Sequence, residues 1–302
     1  MSGVASNAGG HALPPPAGAR LAVLALLFNA FAWGVSWWPL RWLDGRGLHP
    51  LWSTALVYAL AVGALTLWRP RAWVELVRTP ALWGLVLAAG TTNASFNWAV
   101  TVGDVVRVVL LFYLMPLWAV GLARLLLGER LTPLAGWRIA LALAGAAIVL
   151  WPVSGGWPLP RTLAEWLGVV GGFSFALNNV LLRRQAASGT AARALAMFGG
   201  GALVAGALAL GLAAHGRVPL PPAVDAGWLL GMAALAMWFL AGNLALQYGA
   251  ARLKASATAV VMVAEVPFAA GSAVLLGAGV LGGPLVLGGA LIVLAALLAA
   301  WR

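Results

Sequence analysis

The sequence predicts an all-α integral membrane protein. The expectation is ten transmembrane helices in two inverted five-helix repeats, with both termini in the cytoplasm. Three observations carry it. The 302-residue chain is 63% hydrophobic and 8% charged, with a mean hydropathy of +0.97, whereas a soluble domain carries about 25% charged residues. Its apolar segments recur at membrane-spanning length. Polar residues within those segments recur half a chain apart.

Residues 1–20 (MSGVASNAGGHALPPPAGAR) are rich in Gly, Ala, Ser and Pro, and read as a disordered cytoplasmic tail. They lack the basic start of a secretory signal. A span needs about 20 apolar residues. Segments of that kind fall at 21–40, 50–68, 81–102, 105–127, 133–152, 163–182, 193–213, 226–248, 255–278 and 283–301. The first five form one expected repeat, 21–152, and the second five the other, 153–302. The connections are short and marked by Pro, Gly or Arg, as in Arg69-Pro70-Arg71 and Pro219-Leu220-Pro221-Pro222.

The 18 basic residues orient these spans. With the N-terminus inside, 13 of them fall on inner connections and tails: Arg20, Arg69, Arg71, Arg78, Arg124, Arg130, Arg138, Arg183, Arg184, Arg193, Arg252, Lys254 and Arg302. Five fall outside: Arg41, Arg46, Arg107, Arg161 and Arg217. The positive-inside rule then puts both termini in the cytoplasm. An odd number of spans per repeat inserts the second half upside down relative to the first. The net charge of +11 forms no basic domain, so nucleic acid is not an expected partner. There are no cysteines, which excludes disulfides and thiolate chemistry.

Asn93 and Asn97 recur 150 residues later as Asn243 and Gln247, each pair followed by an aromatic, Trp98 or Tyr248. Residues four apart share a helix face. Buried polar groups are expensive in a membrane and usually face a bundle interior or a watery cavity. Repeat-related polar stripes therefore suggest a site at the repeat interface. In the next span of each half the offset becomes 151, pairing Val109 with Val260, Pro116 with Pro267, Ala119 with Ala270 and Gly128 with Gly279.

The amides of Asn93, Asn97, Asn243 and Gln247 suit a zwitterion, because each supplies donors and an acceptor. The structural alternative is interhelical glue worth about 0.6 kcal/mol per bond. Asn178 and Asn179, with Ser174, and Asn29, Trp33 and Ser36 occupy repeat-equivalent spans and are expected to face the same cavity or simply to pack. Tyr113, Met115 and Trp118 surround Pro116, and Glu265 and Phe268 flank Pro267. Both prolines are expected to kink their spans and assist gating. Tyr113 could stack on an aromatic ligand.

Glu265 is the acidic residue expected deep within a span, and an intramembrane carboxylate is a functional hypothesis by default. It could hold a substrate ammonium or exchange a proton. Its structural alternative is a neutral acid bonded to a carbonyl freed by Pro267. Trp33, Trp98 and Trp238 are the deep tryptophans expected at the cavity. Trp37, Trp38, Trp42, Trp151 and Trp157 fall near boundaries, as interfacial anchors do. Gly168/Gly172 and Gly227/Gly231 have the spacing of close helix contacts. His11, His49 and His215 form no metal cluster, and no Walker lysine motif is present. No cofactor is expected.

The stretch LFYLMPLWAVGLARLLLGERLTPLAGWRIALALAGAAIVL, residues 111–150, resembles the EamA domain of the drug/metabolite transporter superfamily. Pro116, the Gly128-Glu129-Arg130-Leu131 turn and the Gly-rich helix after it carry the likeness. The second half keeps Pro267 and Gly279 but has Gly279-Val280-Leu281 at the turn. The resemblance implies ten helices in two inverted halves. It is nearest the YddG-type exporters of aromatic amino acids.

The functional expectation is a secondary carrier in the bacterial inner membrane. It exports small amphipathic metabolites, aromatic or apolar amino acids above all, by alternating access. Its partners are the lipid bilayer and a small-molecule substrate, and nothing in the chain demands a second subunit. Alternatives are an exporter of drugs or other metabolites on the same scaffold, a membrane enzyme acting on lipid, and a non-catalytic interaction subunit. One buried glutamate without an intramembrane histidine argues against the enzyme. Paired polar stripes argue against the interaction subunit.

Overall fold

The computed structural model describes residues 19–127, 133–151, 157, 159–185, 187–250, 252 and 261–300. The expected tail up to residue 18, the Gly128-Glu129-Arg130 turn and Lys254 lie outside the described residues. Among the described residues there are thirteen helices: α1 (Ala19–Gly34), α2 (Trp37–Asp44), α3 (Pro50–Trp68), α4 (Ala72–Arg78), α5 (Ala81–Val102), α6 (Val105–Phe112), α7 (Met115–Leu127), α8 (Pro133–Leu150), α9 (Leu163–Arg184), α10 (Thr190–Ala214), α11 (Ala226–Ala250), α12 (Glu265–Leu275) and α13 (Gly283–Ala300). Helix is what such apolar segments adopt in lipid, where backbone groups must be satisfied within the segment.

Polar side chains secure several helix ends. Nδ1 of His49 accepts from the Leu51 amide at 3.2 Å, capping α3. Burial holds that imidazole below the ordinary histidine pKa, against the pull of Asp44, so the ring stays neutral and can accept. Asp104 caps α6 by accepting from the Arg107 amide at 2.8 Å. Thr162 and Glu165 satisfy each other's amides at the start of α9, at 3.2 and 3.3 Å, which is a capping box. An Arg107–Glu165 ion pair at 2.6 Å ties α6 to that end.

Among the described residues, six segments are long and apolar enough to cross a membrane: Arg20–Asp44, Pro50–Trp68, Val105–Leu126, Leu163–Leu182, Thr190–Ala214 and Ala226–Gly249. Helices α4 and α5, bent by 105°, supply a seventh if counted as one span. This is fewer than the ten expected. Near the other three expected places the apolar helices are shorter: Ile139–Val149, Glu265–Leu275 and Gly283–Ala295.

The prolines differ from expectation. Pro116 is the second residue of α7 and Pro267 the third of α12. Each follows a two-residue turn, at 113–114 and 263–264. A first turn has no intrahelical N–H bond to lose. These prolines therefore restart a helix after a break rather than kink a continuous one. Pro39 does the same in α2 after the turn at 35–36. Two of these breaks meet in space. A Cβ on Gly34 would lie 2.8 Å from Phe268 Cβ and 3.0 Å from the Glu265 carbonyl.

Packing centres on α5, which contacts α3, α9 and α10. At its crossing with α10, a Cβ on Gly90 would strike the Gly200 carbonyl, and one on Gly200 the Val86 carbonyl. Helices α8 and α13 pair reciprocally. A Cβ on Gly145 would lie 2.6 Å from the Gly288 oxygen, and one on Gly288 2.6 Å from the Gly145 oxygen. Gly168 and Gly172 bring α9 onto the backbone of α6, while Gly231 receives the Trp42 ring. Small residues at crossings let helices associate without a hydrophobic force between them.

Candidate functional site

Helix α5 presents Ala89, Thr92, Asn93 and Phe96 as one stripe, at spacings of three and four. That stripe walls a cavity completed by residues of α1, α3, α6 and α9–α12. Its volume is ≈ 80 Å³. At about 15 Å³ each that is room for about five waters, so the cavity is narrow.

Part of the wall is aromatic. Trp33 stacks on Phe239 at 4.7 Å between centroids. Phe96 meets Phe112 at 4.8 Å, Phe112 meets Phe175 at 5.3 Å, and Tyr58 meets Phe198 at 5.4 Å. The rest is polar. Asn29, Asn93, Asn178, Asn243 and Glu265 all line it. Asn93 accepts from the Tyr58 hydroxyl at 2.7 Å and donates to the Ala89 carbonyl at 2.8 Å. Asn29 donates to the Gly242 carbonyl at 2.8 Å, joining α1 to α11. Its Oδ1, like that of Asn178, is buried without a hydrogen-bond partner.

Tyr113 lies behind Glu265. Its hydroxyl oxygen is 2.9 Å from the Met262 carbonyl and 3.0 Å from Glu265 Oε2. A hydroxyl has one proton. Full bonds to both neighbours therefore require the proton of a neutral Glu265, donated to the tyrosine, which then donates to Met262. When Glu265 is ionised the tyrosine proton must be shared or turned towards the carboxylate.

The expected site residues divide. Trp33, Asn93, Asn178, Asn243 and Glu265 come together at the cavity. Gln247 is one step removed, donating to Asn243 Oδ1 at 2.7 Å, and Tyr113 is held behind Glu265. Asn97 is turned away and donates to Thr54 Oγ1 at 3.2 Å. Trp98 packs against His49, at 5.2 Å between centroids. Asn179 is exposed. Trp238 donates to the Ala32 carbonyl at 3.1 Å and borders a separate apolar groove with Trp38 and Trp42.

Helix geometry accounts for these departures: four residues carry Asn97 about 6 Å further along α5 than Asn93, and one residue turns Asn179 about 100° from Asn178. Sequence reasoning missed Tyr58, Phe96, Phe112, Phe175 and Phe198. Tyr58 carried a usable signal as one of three tyrosines in the chain, set within an apolar span. The phenylalanines carried none, because apolar rings face lipid and cavity alike.

Residues 20–151 match the family described as the EamA-like transporter family. Two curated relatives are similar over part of their length. The Streptomyces exfoliatus protein RarD is 31% identical over 167 residues, covering 52% of this chain and 50% of that protein. An uncharacterized transporter of Pseudomonas aeruginosa is 34% identical over 137 residues, covering 43% of each chain. The matches thus span half or less of these relatives. One protein crystal structure shares the fold with a TM-score of 0.56 and 20% identity, over 93% of this chain and 96% of that chain. With the apolar helices, these likenesses support a multi-pass membrane protein, of the inner membrane in a bacterium, and suggest a membrane transporter.

Proposed function

We propose that the whole chain is an EamA-type secondary carrier of the bacterial inner membrane. It has ten spans in two inverted repeats and cytoplasmic termini. It moves small amphipathic metabolites outward by alternating access through the cavity between α1, α5, α9 and α11. The observation that carries this reading is that Asn93 and Asn243, 150 residues apart, line one cavity from two helices. A packing role alone gives the two positions no reason to share a cavity, whereas a midplane site between repeats does.

The rings around the cavity favour a cargo with an aromatic or apolar body, as aromatic and apolar amino acids have. The breaks after Gly34, Phe112 and Met262 fall at or beside cavity-lining helix segments. Such breaks are tolerated in lipid where they are enclosed by protein or face a cavity, and they give the segments places to pivot. Counterflow in proteoliposomes tests the proposal. Vesicles loaded with unlabelled phenylalanine, tryptophan, threonine or a cationic dye should take up the labelled counterpart saturably. Asn93→Leu combined with Asn243→Leu should abolish that uptake while the protein still elutes as a folded species. Unimpaired uptake by the double variant would remove the cavity from the transport path. Preference for the dye would favour a drug exporter on the same scaffold.

A further inference from the structure

The polar groups of the cavity are unevenly matched. Among the described lining residues Glu265 is the one carboxyl group, and no Lys, Arg or His stands with it. Asn29 lines the cavity and is held by its bond to the Gly242 carbonyl, and its Oδ1 is fully buried and without a donor. Asn178 adds a second buried amide oxygen in the same condition. Some donors are already engaged, and those that remain, on Trp33, Asn178 and Asn243, are uncharged. The Tyr58 hydroxyl serves Asn93, the Asn93 amide serves Ala89, and the Thr92 hydroxyl serves the Ala88 carbonyl at 2.8 Å.

The start of α12 adds little for an anion. The amides of Ala264, Val266 and Phe268 bond to Val261, Val263 and Ala264, and Pro267 has no N–H. An amino-acid carboxylate placed here would share the cavity with the Glu265 carboxyl group and find only uncharged donors among the described lining residues. An ammonium would supply donors to the two unpaired amide oxygens and a charge opposite to that of an ionised Glu265. It has three N–H bonds and a positive charge, which ring faces also attract.

We propose that the cargo of this cavity is a primary amine on an aromatic or apolar body, such as an arylalkylamine, rather than a zwitterionic amino acid. The inference rests on the carrier reading above. The ammonium lies against Glu265 and the oxygens of Asn29 and Asn178, and the hydrocarbon body lies among Trp33, Phe96 and Phe112. A quaternary ammonium of equal size lacks N–H bonds, leaves the orphaned oxygens unpaired, and binds less tightly.

The test uses the full chain in proteoliposomes and labelled phenethylamine. The expected result is saturable phenethylamine exchange at least tenfold faster than phenylalanine exchange at equal concentration. Benzyltrimethylammonium should compete at least fivefold less well than unlabelled phenethylamine. Glu265→Gln should lower amine exchange at least tenfold, and Glu265→Asp should recover part of it. The unmodified protein alone decides the main point if a variant fails to fold. Phenylalanine exchange equal to or faster than phenethylamine exchange overturns the amine assignment and leaves the carrier standing. Equal competition by the quaternary amine overturns the role of the orphaned oxygens, and undiminished exchange in a folded Glu265→Gln overturns that of the carboxyl. If folded protein exchanges no amine, amino acid or dye, the carrier reading fails and this inference with it.

Discussion

At the scale of single residues, Asn93 and Asn97 look interchangeable in the sequence and occupy different surroundings in the fold. Asn93 lines the cavity and accepts from Tyr58. Asn97 faces Thr54, whose hydroxyl already donates to the Pro50 carbonyl at 2.8 Å, and its own Oδ1 is unpaired. Asn93→Leu removes the acceptor of the buried Tyr58 hydroxyl, at a cost of about 1–3 kcal/mol. Asn97→Leu removes an acceptor that had no partner and leaves Thr54 bonded, so it should stay within about 1 kcal/mol of the parent. Thermal unfolding in detergent and counterflow, run on both variants, check this. Exchange should fall in Asn93→Leu and persist in Asn97→Leu. Loss of exchange in Asn97→Leu at unchanged stability would put that amide on the transport path. Intramembrane amides are conspicuous in a sequence because lipid makes them costly, so the cavity was legible through Asn93, Asn178, Asn243 and Glu265. Which member of an adjacent pair faces inward depends on helix rotation against neighbours, and no single sequence carries that. The aromatic wall was illegible for a related reason: burial in lipid and burial in a cavity select the same side chains.

At the scale of helices, the apolar segments were legible and their interruptions were not. The turns at 35–36, 113–114 and 263–264 lie inside segments that the sequence reads as single spans. Pro39, Pro116 and Pro267 were the only local hints, and they stand just past the breaks. What holds the resulting short helices together is backbone proximity at glycine, and this can be measured. Gly145 and Gly63 both sit inside helices, yet a Cβ on Gly145 would lie 2.6 Å from the Gly288 oxygen, whereas one on Gly63 meets nothing within 4 Å. Gly145→Ala should force α8 and α13 apart and cost about 1–3 kcal/mol, as overpacking does. Gly63→Ala should be neutral or stabilising by up to about 1 kcal/mol, because it restricts the unfolded chain and favours helix. A fall in thermal midpoint for Gly145→Ala alone is the expected pattern. Equal effects at both sites would mean that the α8–α13 contact contributes nothing beyond helix propensity.

At the scale of the whole molecule, the contacts between connections bear on its orientation. Trp52 at the start of α3 donates to the Pro219 carbonyl at 3.0 Å. Arg41 donates to the carbonyls of Val100 and Gly103 at the end of α5, and Arg107 pairs with Glu165. All of these segments belong to the face that the distribution of arginines puts outside. Glu75 accepts from the Gly189 amide at 2.6 Å, joining two connections assigned to the inside. None of these four contacts links an inner connection to an outer one, which random placement of the connections would not favour. The chain has no cysteine, so single cysteines report position against a silent background. Ala187 and Ala223 are exposed, beside the two kinds of connection. In intact cells a membrane-impermeant maleimide should label Ala223→Cys. It should label Ala187→Cys only after the membrane is opened. The reverse pattern would invert the protein and put the positive charge outside. Labelling of both sites from outside would break the alternation of spans between residues 187 and 223, and with it the inverted repeat on which a shared midplane cavity depends.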